Sequence, residues 1–346
     1  MLGIHLPVIQ APMAGVQDAR LAIAVSEAGG LGSLPAAQFS LPELEQQLRL
    51  LQQGTDKPYN VNCFCHAQPV PDAQQQADWL AHLQPYFDEY GIDASALLPL
   101  QPARQPFNAD VADTLAAFRP PVVSFHFGLP DAKLLEYVKS WDAIVLSSAT
   151  TVEEGLWLEA HGADAVIAQG LEAGGHRGHF LSDDLSLQTG TFALVPLLAK
   201  HLQVPVIAAG GVAGRHTARA ALALGAAGVQ AGTAYLLAHE ATTSALHRQA
   251  LQGEGAHHTA LTRTLTGRPA RGLVNRLMAD LAAVQSKAPA FPLAGSALTR
   301  LRQQAEAVGK TDFSPLWSGQ NNQDLLQQPA ADITIYLGAG VEPDQD

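Results

Sequence analysis

A glycine-rich segment near the middle of the chain contains the residue best suited to acid–base chemistry. The segment reads QGLEAGGHRGH from Gln169 to His179 and places His176 among four glycines. So many glycines disfavour a helix and let the backbone bring the imidazole of His176 close to a ligand. Because imidazole can donate, accept or take up a proton near neutral pH, His176 is a candidate catalytic base or a donor to an anionic substrate. No role is assigned to His179.

Two later glycine segments are suited to binding a phosphate group. They read AAGGVA at 208–213 and QAGT at 230–233. Backbone amides of glycines, with a hydroxyl beside them, bind phosphate without needing a lysine. The alternative is that these glycines serve only tight turns or close packing. Two such segments on successive apolar runs favour the phosphate site.

Polar side chains alternate with apolar ones in two further runs. In VVSFHFG the alternation places Ser124 and His126 on one face, and in YNVNCFC it places Asn60 and Asn62 together. His126 either lines a ligand pocket or is hydrogen bonded within the wall of the fold, and both interpretations stay open. One of the two asparagine amides is suited to the edge of a polar heterocycle.

The two cysteines lie next to a histidine but do not predict a metal site. Cys63, Cys65 and His66 form a compact C-x-C-H cluster. Zinc sites combine such a cluster with a second pair of ligands at a characteristic spacing, which this sequence lacks. We therefore predict no metal. Two cysteines also provide no disulfide framework, which fits a reducing cytoplasm.

The elements that must position these residues are short β-branched runs separated by helical stretches rich in Ala and Leu. The runs are Pro7–Pro12, Leu31–Pro35, Tyr59–Cys65, Val122–Gly128, Ala143–Ala149, Ala165–Gly170, Pro205–Gly211 and Gly228–Ala234. The clearest helical stretches are Ala19–Ala28, Val152–His161, Phe192–His201 and His216–Leu224. Strands that alternate with helices predict an α/β fold with a parallel sheet.

The number of these units favours a closed barrel. Eight strand–helix units over about 235 residues match the size of a (β/α)8 TIM barrel. The alternative is an open, doubly wound sheet. Barrels concentrate their chemistry at the C-terminal ends of all strands, and nearly every run here carries Gln, Asn, His, Ser or Gly near its end. We therefore predict that residues 1–236 form the barrel.

Two regions exceed a minimal barrel. Residues 66–120 contain many Pro and Gln and predict extra helices in place of one crossover helix. Residues 237–346 predict a C-terminal helical cap, with amphipathic stretches at Leu273–Gln285 and Ser296–Val308. The final stretch, Gln328–Asp346, predicts a flexible acidic tail.

Charge and composition exclude several classes of function. The 346 residues include 20 Lys and Arg against 32 Asp and Glu, a net charge of -12, which disfavours binding to nucleic acid and to anionic membranes. No apolar run reaches the roughly 18 residues of a membrane span, and Met1–His5 lacks the layout of a signal peptide. The phosphate-binding G-x-x-x-x-G-K, the metalloprotease H-E-x-x-H and the hydrolase G-x-S-x-G motifs are missing. We expect a cytoplasmic enzyme that acts on small molecules.

Several motifs, in their order along the chain, resemble one enzyme family. They are QAPMAG from Gln10, FHFG from Phe125, EAGGHRG from Glu172 and QAGT from Gln230, extended by RPARG from Arg268 and LWSGQ from Leu316. In this order they resemble the class I nitronate monooxygenases, formerly called 2-nitropropane dioxygenases. QAPMAG and EAGGHRG are specific to the wider superfamily, and FHFG narrows the resemblance to this class.

The resemblance implies that the barrel holds non-covalent FMN. It implies that Met13 lies near the isoalloxazine ring, that Asn62 and Gln169 form hydrogen bonds with the flavin, and that Gly174 lies close to it. The residues implied around the phosphate are Gly211, Gln230, Ala231, Gly232 and Thr233. His176 is then the active-site histidine, and His126 is a neighbour in the substrate pocket.

The implied reaction oxidises an alkyl nitronate with O₂ to a carbonyl compound and nitrite, with propionate 3-nitronate as the expected substrate. A nitronate is already an anion, so His176 need only position it, whereas a neutral nitroalkane requires His176 as a base. The carboxylate of propionate 3-nitronate requires a cation, for which the candidates are Arg177, Arg268, Arg271 and Arg300. Phe291 stands where similar family members often have Tyr, so a hydroxyl that contacts the substrate is missing.

Two other functions are compatible with the same residues. NAD(P)H-dependent enoyl and quinone reductases carry a similar G-G-H loop, and the same flavin site could serve hydride transfer. A non-catalytic flavin-binding sensor would keep the phosphate glycines but would have no need of His176 in a glycine-rich loop. Bleaching of the flavin by NADH distinguishes the reductase from the monooxygenase.

Overall fold

Short strands with buried side chains form the framework of the protein. The computed structural model describes residues 1–101, 104–323 and 325–340. Its strands, numbered in chain order, are β1 (Val8–Gln10), β2 (Gly32–Pro35), β3 (Tyr59–Phe64), β4 (Val122–His126), β5 (Ile144–Ala149), β6 (Ala165–Gln169), β7 (Gly175–His176), β8 (Val206–Ala209), β9 (Gly228–Ala231), β10 (Thr259–Thr262) and β11 (Ala270–Leu273).

Eight of these strands form a closed parallel barrel. Their order is β1, β9, β8, β6, β5, β4, β3, β2, with parallel pairing between neighbours. A parallel bridge between Ile9 and Leu31 joins the first strand of this order to the last. The amide of Gln10 donates to the carbonyl of Leu31, and the amide of Leu31 donates to that of Val8, both at 2.9 Å. The predicted barrel is confirmed, and each of the eight predicted runs contains one of its strands.

Strand β8 is apolar on both faces because both faces are covered. Ile207 and Ala209 of β8 belong to an inner cluster that also contains Ile9. Val206 and Ala208 instead pack in the outer cluster against the surrounding helices. This alternation explains why the sequence of β8 is a continuous apolar run, where a strand with one wet face would show a polar residue at every second position.

Helices surround the barrel and extend beyond it. They are α1 (Ala19–Glu27), α2 (Leu41–Gly54), α3 (Ala73–Glu89), α4 (Ala109–Phe118), α5 (Ala132–Lys139), α6 (Val152–Ala160), α7 (Thr191–His201), α8 (Arg215–Ala223), α9 (Ala245–Gln252), α10 (Arg276–Asp280), α11 (Leu293–Ala307) and α12 (Ala330–Gly338). Asp18, Asn108, Asp131 and Thr151 cap four of them by accepting hydrogen bonds from first-turn amides. The four helical stretches picked out from the sequence coincide with α1, α6, α7 and α8. No helix in the described ranges is long and apolar enough to cross a membrane.

The long region between β3 and β4 contains α3 and α4, so the prediction of extra helices there is confirmed. Trp79 and Phe87 of α3 pack in one cluster with Leu298 and Leu301 of α11. The predicted helical stretch Leu273–Gln285 is not continuous, because it begins in β11 and α10 ends at Asp280 before a separate turn of 3₁₀ helix. Region 66–120 therefore docks onto the C-terminal part of the chain.

The prediction of a flexible tail from Gln328 onwards is wrong for α12. Ile333 and Leu337 of this helix are 1% and 0% exposed and belong to the outer barrel cluster. The Tyr235 hydroxyl and the Thr334 hydroxyl form a hydrogen bond of 2.9 Å. Apolar residues four positions apart on one helix face therefore bind this segment to the barrel. Residues 341–346 of the predicted tail lie outside the described residues.

Candidate active site

A cavity of about 270 Å³ opens at the C-terminal ends of the barrel strands. Barrel enzymes place their active sites at this end. The cavity is lined by ten of the residues singled out from the sequence: Met13, Asn62, His126, Gln169, Gly174, His176, Gly211, Gln230, Gly232 and Thr233. The remaining one, Ala231, is 1% exposed and packs in the outer barrel cluster. Its side chain therefore faces away from the cavity.

Free backbone amides line the cavity where β8 and β9 end. The amides of Gly211, Val212, Gly232 and Thr233 donate no hydrogen bond to any residue that the structure describes. Gly211 has a φ of 73°, a conformation that side chains other than glycine rarely adopt. The side-chain amide of Asn321 donates to the carbonyl of Gly211 at 2.7 Å and fixes this turn. Clustered free amides are a typical arrangement for binding an anion such as phosphate.

Polar atoms without protein partners line the cavity beside these amides. The side-chain oxygen of Gln230 is buried and has no hydrogen-bond partner among the described residues. Asn62 donates from its side-chain nitrogen to the Ser124 hydroxyl at 2.9 Å, while no described residue donates to its oxygen. A Cβ atom at Gly232 would lie 3.7 Å from the Met13 sulfur, so Met13 lies against the end of β9. These atoms are available to a polar ligand that lies across the barrel mouth.

Gln169 at the end of β6 clamps the histidine loop. Its side-chain nitrogen donates to the His176 carbonyl at 2.9 Å, and its side-chain oxygen accepts from the Gly178 amide at 2.7 Å. Both ends of the amide are therefore engaged by the loop. Gln169 lines the cavity, but its main contacts position His176.

His126 both lines the cavity and forms hydrogen bonds within the wall. Its Nε2 lies 3.2 Å from the His176 carbonyl, to which only an N–H can donate. Its Nδ1 then accepts from the Ser148 hydroxyl at 3.0 Å. Burial first, and then the charge of Arg268, lowers the pKa of His126 to about 3. His126 is therefore a neutral residue that positions the His176 loop.

His176 is held in one tautomer by Thr266. The distance from its Nε2 to the Thr266 hydroxyl oxygen is 2.9 Å, and that hydroxyl donates to the Arg268 carbonyl. When the hydroxyl hydrogen is used in this way, at 3.3 Å from the Arg268 carbonyl oxygen, Nε2 carries the proton and donates to Thr266. No described residue forms a hydrogen bond with Nδ1. The free lone pair of the imidazole is therefore at Nδ1.

Burial and fixed positive charge keep His176 neutral. Burial, followed by the charge of Arg104, lowers the pKa of His176 well below its ordinary value. A neutral imidazole with a free lone pair can accept a proton, whereas an imidazolium cannot. The charge that would attract an anion to this site must therefore come from other residues.

Aromatic rings enclose the His176 imidazole. The ring centres of Phe291 and Trp317 lie 5.0 and 5.5 Å from that of His176, and those of Phe127 and Phe64 lie at 6.2 and 6.5 Å. Phe291 thus lies at the site, as expected for the position where similar family members have Tyr. The enclosure replaces water around His176 with apolar surface.

The four arginines proposed from the sequence as anion ligands do not line the cavity. Arg177 is completely buried and donates to the carbonyls of Gln169 and Gly170, both at 2.7 Å. Arg268 donates to two carbonyls of the His176 loop, and Arg271 donates to that of Leu171. The side chain of Arg300 is exposed on α11.

Sequence reasoning missed two residues that act directly on the state of His176, Thr266 and Arg104. Thr266 lies 90 residues after His176 and meets it because β7 pairs antiparallel with β11, aligning His176 with Ala270. The nearest signal in the sequence was the R-P-A-R-G motif, which begins two residues after Thr266. Arg104 lies in the region between β3 and β4, where no motif marks it.

Known proteins of one family match this chain over nearly its whole length. Residues 1–336 match the family described as nitronate monooxygenase. The nitronate monooxygenase of Paraburkholderia phytofirmans is 42% identical over 97% of this chain and 92% of its own. That of Pseudomonas aeruginosa is also 42% identical, over 97% of this chain and 96% of its own.

Solved structures share the fold. A nitroalkane oxidase from Streptomyces ansochromogenes has a TM-score of 0.86 and 35% identity, covering 98% of this chain and 96% of its own. FabK from Thermotoga maritima has a TM-score of 0.70 and 25% identity, covering 98% of this chain and 93% of its own. The family match over nearly the whole length, the two relatives and the shared barrel agree, and the chain belongs to the nitronate monooxygenase family.

Proposed function

We propose that this protein is an FMN-dependent monooxygenase that oxidises alkyl nitronates with O₂ to a carbonyl compound and nitrite. One observation carries the proposal: a single cavity combines free backbone amides at the ends of β8 and β9 with a neutral, tautomer-fixed His176. Membership of the nitronate monooxygenase family supports the substrate class. The two unpaired cysteines support a location in the reducing cytoplasm.

The residues of the cavity fit FMN. The free amides of Gly211, Val212, Gly232 and Thr233 would hold the phosphate, and the unpartnered oxygen of Gln230 would accept from a polar group of the cofactor. Met13 and the oxygen of Asn62 would contact the ring system. Bound there, FMN would supply the electron transfer from nitronate to O₂.

His176 would act in different ways on the two forms of a nitro substrate. A nitronate has already lost its α-proton, so the imidazole would serve to orient it. A neutral nitroalkane would have to give that proton to Nδ1, the nitrogen that Thr266 leaves free. The lowered pKa of His176 makes it a weak base, and this predicts a preference for the nitronate form. The aromatic wall would limit the access of water during the reaction.

The proposal is tested by oxygen uptake and nitrite release with propionate 3-nitronate, measured on the protein purified with its flavin. An anaerobic flavin spectrum with NADH is recorded beside it. We expect rapid uptake, nitrite release and no bleaching by NADH. Bleaching without nitronate turnover would contradict the proposal and assign the protein to the reductases.

The role of His176 is tested by His176→Asn, which keeps a hydrogen-bonding side chain but removes the base. We expect turnover of a neutral nitroalkane to fall by about 100-fold or more, the usual contribution of a general base. Turnover of the pre-formed nitronate should fall far less. Wild-type rates on both forms would show that His176 has neither role.

A further inference from the structure

Arg104 lies at the cavity on a segment anchored to the barrel. Its guanidinium carbon lies 5.8 Å from the centre of the Phe64 ring, and the residue lines the cavity. The amide of Phe107 donates to the Phe64 carbonyl at 2.7 Å, and its ring packs against Phe125 with 5.2 Å between centres. The strand end and the arginine are thereby held together.

The charge of Arg104 has no carboxylate partner in the described part of the chain. Its side chain is partly buried and donates no hydrogen bond to a described residue. Glu306 is the only carboxylate among the residues that line the cavity, and it accepts from Arg302 and from Ser314, both at 2.7 Å. An arginine that is partly desolvated and unpaired is ready to bind an anion.

Other basic groups near His176 do not supply a free charge. Burial and then Arg268 lower the pKa of His66 to about 4, so this residue is neutral at physiological pH. Arg268 is committed to the carbonyls of Arg177 and His179 and stacks 4.1 Å from the Phe127 ring centre. Arg302 also lines the cavity but is paired with Glu306, whereas Arg104 lines it and donates no hydrogen bond to a described residue.

We propose that Arg104 is a specificity-determining residue that binds the carboxylate of a carboxylate-bearing nitronate. This inference rests on the proposed function and narrows its substrate class. The Phe64 ring is a neighbour of both groups: its centre lies 6.5 Å from that of the His176 ring and 5.8 Å from the Arg104 guanidinium carbon. A short aliphatic chain crossing this ring places its nitronate beside His176 and its carboxylate on Arg104. The planar guanidinium fork matches a carboxylate with two parallel hydrogen bonds.

The test compares two nitronates that differ only in the tail, propionate 3-nitronate and propyl-1-nitronate. In Arg104→Gln, kcat/KM for propionate 3-nitronate should fall by roughly 10- to 100-fold, mostly through KM, as for the loss of a charge-assisted hydrogen bond. For propyl-1-nitronate it should change less than about 3-fold, because the tail carries no group for Arg104 to bind. Arg104→Lys should recover only part of the loss, because an ammonium lacks the fork.

Arg300→Gln is the matched control, since it removes the same charge from an exposed position on α11. It should leave both substrates at wild-type rates. Equal losses on the two nitronates in Arg104→Gln would overturn the inference, because Arg104 would then act on the nitronate group or on the fold.

A binding measurement separates this inference from the proposed function. Succinate, which carries a carboxylate in place of the nitronate, is titrated calorimetrically into the wild-type holoenzyme and Arg104→Gln, with butyrate as the singly charged comparison. We expect succinate to bind more tightly than butyrate only when Arg104 is present. If this holds while no nitronate is turned over, the proposed function fails and the anion site stands. Equal binding of succinate to both proteins refutes the anion site.

Discussion

At the scale of single residues, a chain of hydrogen bonds decides which nitrogen of His176 can accept a proton. His176 donates to Thr266, and Thr266 donates to the Arg268 carbonyl. The direction of the chain is set at its far end, because a carbonyl can only accept. Thr266 is therefore a positioning residue whose effect passes through the imidazole.

Thr266→Val should separate this positioning role from packing, since valine has nearly the same shape. The N–H at Nε2 would lose its acceptor, at a cost of about 1–3 kcal/mol for a buried donor, or the proton would move to Nδ1. We expect kcat/KM for a neutral nitroalkane to fall by about 10-fold or more and to fall less for the nitronate, because only the former needs a lone pair at Nδ1. Oxygen-uptake kinetics on both forms provide the measurement.

Thr266→Ser keeps the hydroxyl and serves as the control. It should restore the ratio of the two rates even if the missing methyl group lowers stability. If the valine variant changes both substrates by the same factor, the hydrogen bond does not set the tautomer.

The site residues differ in how far the sequence alone reveals them. His176 could be found because the glycines around it are adjacent in the chain, and Gly211 and Gly232 because they end apolar runs. Thr266 and Arg104 could not, because a threonine or an arginine in a loop has no local signature. Their role depends on distances that only the pairing of β7 with β11 and the docking of region 66–120 create.

At the scale of elements, a buried arginine holds the loop between β6 and α7. The Arg177 guanidinium donates to the carbonyls of Gln169 and Gly170 and to the side-chain oxygen of Gln188 at 2.8 Å. The charges of Glu172 and Glu154 favour its protonated form, although burial lowers its pKa to about 10. The guanidinium replaces the regular backbone partners that an irregular loop lacks.

Arg177→Met should therefore destabilise the protein by several kcal/mol, because each buried acceptor left unpaired costs about 1–3 kcal/mol. Thermal or urea unfolding measures the change. Arg300→Met, at an exposed position on α11, should stay within about 0.5 kcal/mol of wild type. A small effect at Arg177 would mean that water can satisfy the same carbonyls.

The secondary-structure elements differ in how well the sequence predicts them. The eight barrel strands and their flanking helices have clear periodicity, because each strand is covered on both faces and each helix on one. The sheet of β10, β11 and β7 could not be predicted, since β7 has two residues and lies in a glycine segment. These strands form because they pair with one another, and their sequences show no alternation of polar and apolar residues that would predict them.

At the scale of the whole molecule, α12 connects the end of the described chain to its beginning. Leu337 and Ile333 pack in the cluster that contains Val8 of β1 and Leu21 of α1. The composition of this stretch suggested a tail because its acidic residues are obvious in the sequence, whereas the contacts of its buried apolar residues, Ala330, Ile333 and Leu337, are not. The helix covers apolar surface that the barrel would otherwise expose to water.

Two residues of similar size on α12 provide a matched test of whether this helix packs on the barrel. Leu337 is completely buried and Ile335 is 54% exposed. Leu337→Ala should lower the free energy of unfolding by about 2–5 kcal/mol, the usual cost of emptying a core position. Ile335→Ala should change it by no more than about 0.5 kcal/mol. Equal effects in a urea titration would mean that α12 does not dock as described.

The contacts that hold the imidazole of His176 are also completed late in the synthesis of the chain. Ribosomes deliver the barrel strands first, but Thr266 and β11 emerge some 90 residues after the histidine that they hold. A nascent chain that has completed all eight barrel strands therefore still lacks the Thr266 hydroxyl that contacts the imidazole. The barrel and the hairpin of β10 and β11 must therefore both be present before Thr266 can hold the imidazole of His176.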